Sequence, residues 1–204
     1  MSSEKVFCEI LTWEQFEALS RKTADKIIKS GFKPDIIVGI ARGGWCLARL
    51  LCDFVGVKDL LSLKVEHWGI TATPDGEAKI KYPFNVDLNG KKVLIVDDIS
   101  DTGKSLTVAS DYVKTLKPIE VKTATLMLLK GSTFSPDYYG EELKWRWVVF
   151  PWNYTEDMCN LVHKVSKKDA TTSEIVLKMK DNYSLDITEE KIKFILKEIE
   201  RRNK

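Results

Sequence analysis

The chain has 204 residues, 44% of them hydrophobic, which suits one soluble globular domain with a sizeable core and a small appendage. Lys and Arg total 32 against 30 Asp and Glu, a formal charge of +2, so composition points to neither a nucleic-acid nor a membrane-surface partner. Cys8, Cys46, Cys52 and Cys159 form no C-x-x-C pair and no metal-ligand spacing with His67 and His163, which argues against a structural zinc site. The first residues lack a basic-then-apolar leader, and no apolar run nears the roughly 18 residues needed to cross a bilayer, so the expected location is the cytoplasm with thiols reduced.

In chain order, Thr12-Trp-Glu-Gln15 has the form of a capping box and predicts a helix start. Trp13, Phe16, Leu19, Thr23 and Ile27 recur at helical spacing behind it, and Gly31 and Pro34 supply the stop. Asp35-Ile-Ile-Val-Gly-Ile40 is a β-branched run without polar alternation, the pattern of a parallel strand covered on both faces. A helix is expected near Trp45 to Phe54, closed by Gly56, and a strand near Leu60 to Glu66. Asn89-Gly90 turns the chain into an apolar strand, Lys92 to Val96, followed by a helix from about Gly103 to Leu116.

Strands near Val121 to Leu129 and Trp145 to Phe150 complete the expected sheet. The alternation predicts an α/β fold: an open, parallel, twisted sheet flanked by helices, with ligands at the carboxyl ends of the strands. The main domain is expected to span residues 1–155, with hood and base pocket from about 130–155, and a charged helical extension to span 156–204. In that extension Asp186-Ile-Thr-Glu189 has the form of a second capping box, with Ile192, Ile195, Leu196 and Ile199 on one apolar face. Its helix is expected to pack on the domain or on a partner subunit; a nucleic-acid-binding appendage is the alternative.

The run Val93-Leu-Ile-Val-Asp-Asp-Ile-Ser-Asp-Thr-Gly-Lys-Ser105 concentrates the chemistry. Asp97 and Asp98 end a buried strand, where repulsion and desolvation are costly unless a diol, a metal or ordered water meets them. A ribose ring offers two neighbouring hydroxyls able to donate to such a pair. Asp101, Thr102, Gly103, Lys104 and Ser105 open the next helix, whose amides and hydroxyls can surround a phosphate dianion, with Gly103 allowing close approach. Gly103-Lys104-Ser105 also matches the end of the G-x-x-x-x-G-K-[ST] loop, but its first glycine would fall where Asp98 stands.

The arrangement of apolar strand, Asp-Asp, two residues, and Asp-Thr-Gly-x-Ser resembles the signature of type I phosphoribosyltransferases. The resemblance implies that Asp97 and Asp98 hold the ribose hydroxyls of phosphoribosyl pyrophosphate, while Asp101 through Ser105 hold its 5-phosphate. In purine-specific members the aspartate before Thr-Gly lies near the imidazole nitrogen of the base as a general base or acid, and Asp101 fills that position.

Gly39-Ile-Ala-Arg-Gly-Gly44, between a strand and a helix, is a second place where glycines and helix amides can meet phosphate oxygens. Alone, such a glycine segment is more often a plain turn than a phosphate loop. Its position matches the family's pyrophosphate loop, where the resemblance implies a cis peptide at Ala41-Arg42 and Arg42 and Gly43 turned toward the leaving group. Lys130 ends an apolar strand where its ammonium can donate to an exocyclic oxygen. Trp147, read locally, is a core residue more often than a stacking platform. Both features resemble 6-oxopurine enzymes, in which a lysine contacts the oxo group, an aromatic residue at the Trp147 position stacks on the base, and the backbone of the next residue, here Val148, reads the purine edge.

Asn153 departs from the pattern, since relatives often carry an aspartate there; the choice among hypoxanthine, guanine and xanthine stays open. The segment His67 to Tyr82 is the expected mobile hood, without a recognisable catalytic Ser-Tyr pair. The resemblance covers about residues 35 to 153. It implies a magnesium-dependent purine-salvage transferase and a homo-oligomer, with small-molecule substrates and no nucleic acid or membrane. The alternatives are a non-catalytic sensor of phosphoribosyl pyrophosphate and a transferase for adenine or a pyrimidine.

Overall fold

The computed structural model describes residues 5–67, 78–166 and 170–202. Strand β1 (Cys8–Ile10) leads through α1 (Trp13–Lys29), β2 (Ile36–Ala41), α2 (Gly44–Val55), β3 (Asp59–His67) and β4 (Ala78–Tyr82) to β5 (Lys92–Ser100). There follow α3 (Lys104–Thr115), β6 (Glu120–Leu129), β7 (Tyr138–Leu143), β8 (Trp147–Val149), α4 (Tyr154–Val165), α5 (Thr172–Tyr183) and α6 (Glu189–Arg202). The chain forms two compact units, Glu14–Trp145 and a second that joins the segment ending at Trp13 to the segment from Arg146 onward.

In the larger unit, strands run in the order β4-β3-β2-β5-β6-β7, and every pairing is parallel except β3 with β4. The uninterrupted apolar runs of β2 and β5 are covered on both faces, as their composition predicts. Val38, Ile40, Val93 and Ile95 share a core with Leu106, Ala109 and Val113 of α3. On the alternate positions, Gly39 of β2 admits α2 so closely that a Cβ there would lie 2.9 Å from Cβ of Ala48. Gly140 does the same for α1, leaving 2.9 Å between the place of a Cβ and the Leu19 carbonyl oxygen. Gly56 closes α2 as expected, in the left-handed region at φ 80°, with its N–H donating to the Cys52 carbonyl.

The second unit differs from the sequence expectation in three ways. The strand near Trp145 to Phe150 does not extend the main sheet: β8 pairs in parallel with β1, Cys8 opposite Trp147 and Ile10 opposite Val149. Three-residue β1 carries too little pattern to be recognised alone. The chain divides at Trp145/Arg146, ahead of the 155/156 boundary, because Val149 and Cys8 join the core of α4, α5 and α6, among them Met158, Val162, Ile175, Met179, Ile192 and Ile195. Arg146, just before β8, and Glu9 of β1 form an ion pair at 2.6 Å.

The third difference is the cap. At α6 the acceptor is Thr188, whose Oγ1 takes the Lys191 N–H at 3.4 Å, so Asp186 is not the capping residue. A reciprocal capping box instead starts α5, where Thr171 accepts from the Glu174 N–H and Glu174 accepts from the Thr171 N–H at 2.8 Å. Among the described residues, no helix is long and apolar enough to cross a membrane.

Candidate active site

The parallel register of β2 and β5 sets Gly39 opposite Val96, so the ends of both strands open on the same edge. Past Val96 the chain delivers Asp97, buried at 8% exposure, and Asp98, half-buried. Asp97 Oδ1 accepts the Asp98 N–H at 3.0 Å, and Asp98 Oδ1 accepts the Ile99 N–H at 2.8 Å. Burial pushes both carboxyls up, Asp98 to about 6; the neighbouring charge of Asp98 raises Asp97 further, while the Ile99 amide pulls Asp98 partly back. A pair held this way gains from any ligand that donates hydroxyls or brings positive charge.

The glycines after β2 close directly on this pair. A Cβ on Gly43 would overlap the Asp98 carboxylate, and one on Gly44 would lie 2.5 Å from the Val96 carbonyl oxygen and 2.7 Å from Cα of Asp97. The consecutive glycines thus let the β2–α2 loop lie against the acidic strand end, a role the sequence signalled only as a turn. The Ala41-Arg42 peptide is cis, the conformation the resemblance implied, and the Arg42 side chain is exposed.

Both helices that start at these strand ends start bare. α2 begins after Gly43 and α3 after Gly103, neither start has a side-chain cap, and neither first turn carries an acidic residue. The positive end of a helix dipole, with no acidic side chain beside it, suits a phosphate. Gly103 sits at φ 83°, and a Cβ on it would overlap Cβ of Phe134. Asp101 is exposed, its carboxylate accepting the Thr102 N–H, with Lys104 exposed and Ser105 half-buried one turn on. The structure therefore brings Ala41, Arg42, Gly43, Asp97, Asp98 and the 101–105 turn to one edge of the sheet.

Lys130 stands at the end of β6 in the same unit, with its side chain exposed and its N–H donating to the Leu143 carbonyl at 2.8 Å. In the other unit, half-buried Trp147 packs against the helical core, and its buried Nε1 meets no hydrogen-bond partner among the described residues. Val148 alternates to the opposite face of β8. Asn153 precedes α4 as its N-cap without a side-chain cap. The hood expected over residues 67–82 lies largely outside the described residues, which resume at Ala78. A cleft of about 550 Å³ lies elsewhere, lined by Arg49, Cys52, Asp53, Val57 and Lys58 at the far end of α2.

Sequence reasoning missed the residues that support the 101–105 turn: Ser100, Ser132, Thr133 and Phe134. Ser100 ends β5 and the other three lie in the β6–β7 loop, and only the fold brings them together. All four cysteines are free, and burial pushes each thiol up, Cys8 to about 11, which suits inert structural thiols.

Comparison with known proteins agrees with this arrangement. Residues 8–158 match the family described as phosphoribosyl transferase domain. The hypoxanthine-guanine phosphoribosyltransferase of Aquifex aeolicus is 30% identical over 135 residues, 63% of this chain and 76% of that protein. The xanthine-guanine enzyme of Gluconobacter oxydans is 29% identical over 143 residues, 70% of this chain and 83% of that protein. A solved purine phosphoribosyltransferase from Pyrococcus horikoshii superposes with a TM-score of 0.63 at 36% identity, covering 71% of this chain and 93% of that one. With more than half its length matched by the family, and the acidic strand end and bare helix starts in place, this chain belongs to the phosphoribosyltransferases.

Proposed function

We propose that the protein transfers the 5-phosphoribosyl group from phosphoribosyl pyrophosphate to a 6-oxopurine, giving the nucleoside monophosphate and pyrophosphate in purine salvage. The observation that carries this reading is the closure of Gly43 and Gly44 on Asp97 and Asp98, between two uncapped helix starts. Phosphate groups fit the helix starts, and the ribose diol fits the acidic pair. Hydroxyl donation favours the ionised carboxylates and so recovers part of the burial cost. The relatives named for hypoxanthine, guanine and xanthine support the choice of base class.

Cleavage at the anomeric carbon builds positive charge on the ribose and negative charge on the departing pyrophosphate, so the protein's work is positioning and electrostatics. Arg42 and the amides after Gly43 face the leaving group in this reading. Asp101 exchanges a proton with the imidazole nitrogen of the base as it attacks. Lys130 donates to the 6-oxo group of the base. Asp97 and Asp98 provide hard oxygen donors, and no cluster of three metal-ligating side chains stands among the described residues, so the pair fits magnesium shared with substrate oxygens. Bound there, magnesium would offset the charge of the pyrophosphate.

The test is a panel of bases incubated with the full chain, phosphoribosyl pyrophosphate and magnesium, with nucleotide and pyrophosphate both quantified. Equal amounts of the two products with hypoxanthine, guanine or xanthine support the transferase. Binding of the donor without turnover on any base would make the protein a sensor.

A further inference from the structure

Besides the motif itself, one loop holds the phosphate turn in shape. The segment between β6 and β7, residues 130–137, runs beside residues 100–103. The Thr102 carbonyl accepts two hydrogen bonds from Thr133, one from the N–H at 3.2 Å and one from Oγ1 at 2.7 Å. Next to it, the buried Ser100 hydroxyl pairs with Ser132 Oγ at 2.9 Å and reaches the Phe134 carbonyl at 3.0 Å. Gly103 has no side chain where Phe134 packs in.

The far end of the segment is pinned as firmly. Asp137 accepts from the Thr123 N–H at 2.8 Å, from Thr123 Oγ1 at 2.9 Å and from Lys122 Nζ at 2.9 Å. Burial alone would raise its carboxyl, but these donors hold it below the usual range. The near end begins at Lys130, whose amide is tied to Leu143.

The consequence follows from the planar peptide. The Thr102–Gly103 peptide is trans, so its N–H points away from its carbonyl. Fixing the carbonyl on Thr133 therefore fixes the Gly103 N–H on the opposite side, at the start of α3. We propose that Thr133 is a positioning residue of the phosphoribosyl site, which aims the first amide of the phosphate turn through the Thr102 carbonyl without touching substrate. This rests on the reading of residues 101–105 as the 5-phosphate turn.

Thr133→Val keeps the β-branched shape and the backbone donor and removes only the hydroxyl, at a position whose side chain is exposed. Calorimetry on the full chain with ribose 5-phosphate as probe should show affinity about fivefold weaker, the change expected for one neutral hydrogen bond. The affinity for pyrophosphate should be unchanged. In the transfer assay, KM for phosphoribosyl pyrophosphate should rise by about the same factor with kcat nearly constant, and Thr133→Ser should restore both values. Wild-type affinity for ribose 5-phosphate in Thr133→Val, equal weakening toward both ligands, or no rescue by serine would overturn the proposal. If the wild type itself fails to bind ribose 5-phosphate, the reading of residues 101–105 falls, and the role of Thr133 falls with it.

Discussion

The helices that begin at the ends of β2 and β5 and those of the C-terminal unit start in opposite ways. α2 and α3 begin behind glycines, without side-chain acceptors and without an acidic residue in the first turn. α5 begins with a complete capping box and α6 with Thr188 and two glutamates, while α4, which has no side-chain cap, differs from α2 and α3 by Glu156 and Asp157 in its first turn. A capping acceptor contributes roughly 1 kcal/mol, so a bare start forgoes stability that an anionic ligand can restore. In one molecule the capped starts serve folding, and the bare ones face the acidic pair at the sheet edge.

Filling the space that the bare starts preserve should have the largest effect. Gly43 has ordinary helical backbone angles, φ −64° and ψ −46°, so alanine fits the chain there but overlaps the Asp98 carboxylate, which can rotate away. Gly43→Ala should therefore fold normally, with kcat/KM for phosphoribosyl transfer lower by ~10²-fold through displacement of the pair. Circular dichroism melting alongside steady-state kinetics checks both halves; full activity would mean that the close approach serves packing only. Of similar size, Asp101→Asn should lower kcat by ~10²-fold, the lower end for a general acid or base, with little change in donor affinity. Single-turnover rates and calorimetry separate the two, and a loss confined to affinity would make Asp101 a loop-shaping residue.

The acidic pair should show the cost of function in a pH-dependent way. Because the folded state raises both carboxyls, it keeps protons that the unfolded chain has released. The associated stability is fully present below about pH 4 and is lost as pH rises through about 6. Asp97→Asn with Asp98→Asn removes that loss. Discounted for the partial exposure of Asp98, the gain is about 1–2 kcal/mol at pH 7.5, or roughly 2–8 °C in Tm. The gain should vanish near pH 4, while calorimetry should show weakened phosphoribosyl pyrophosphate binding. A melting difference independent of pH would contradict the assigned cause. At the capped end the effect is smallest and of the other kind: Thr171→Ala should cost ~1 kcal/mol, about 2–4 °C in Tm, with kinetic constants unchanged. Altered kinetics in that variant would break the contrast.

How far the sequence shows all this depends on whether a feature is local. The apolar runs of β2 and β5, the Gly56 stop and the start of α3 behind Gly103 are each written in a few consecutive residues and appear where their pattern placed them, while β5 runs on past the expected end at Val96 to Ser100 and carries both Asp97 and Asp98. The pairing of β8 with β1 was not legible, because Cys8–Ile10 is three residues long and its partner lies far along the chain. The Asp186 to Glu189 pattern misled, since the residues fit a box but Thr188 supplies the capping acceptor. The glycines of 43–44 read as a turn; that they exist to admit two carboxylates is a property of strand register. Ser132 and Thr133 had no local signal, because their significance lies in the carbonyl and hydroxyl they meet across the loop.

The most direct measurement of what the protein does compares catalytic efficiency for hypoxanthine and adenine in the wild type and in Lys130→Met. An ammonium that donates to a 6-oxo group faces another donor when the base is adenine, so that hydrogen bond is lost and two donors are set against each other. The wild type should favour hypoxanthine by ~100-fold, on the order of 3 kcal/mol. Lys130→Met, which keeps the stem and removes the donor, should lose most of that ratio. Efficient use of adenine by the wild type, or an unaltered ratio in the variant, would contradict the assignment of a 6-oxopurine transferase read by Lys130.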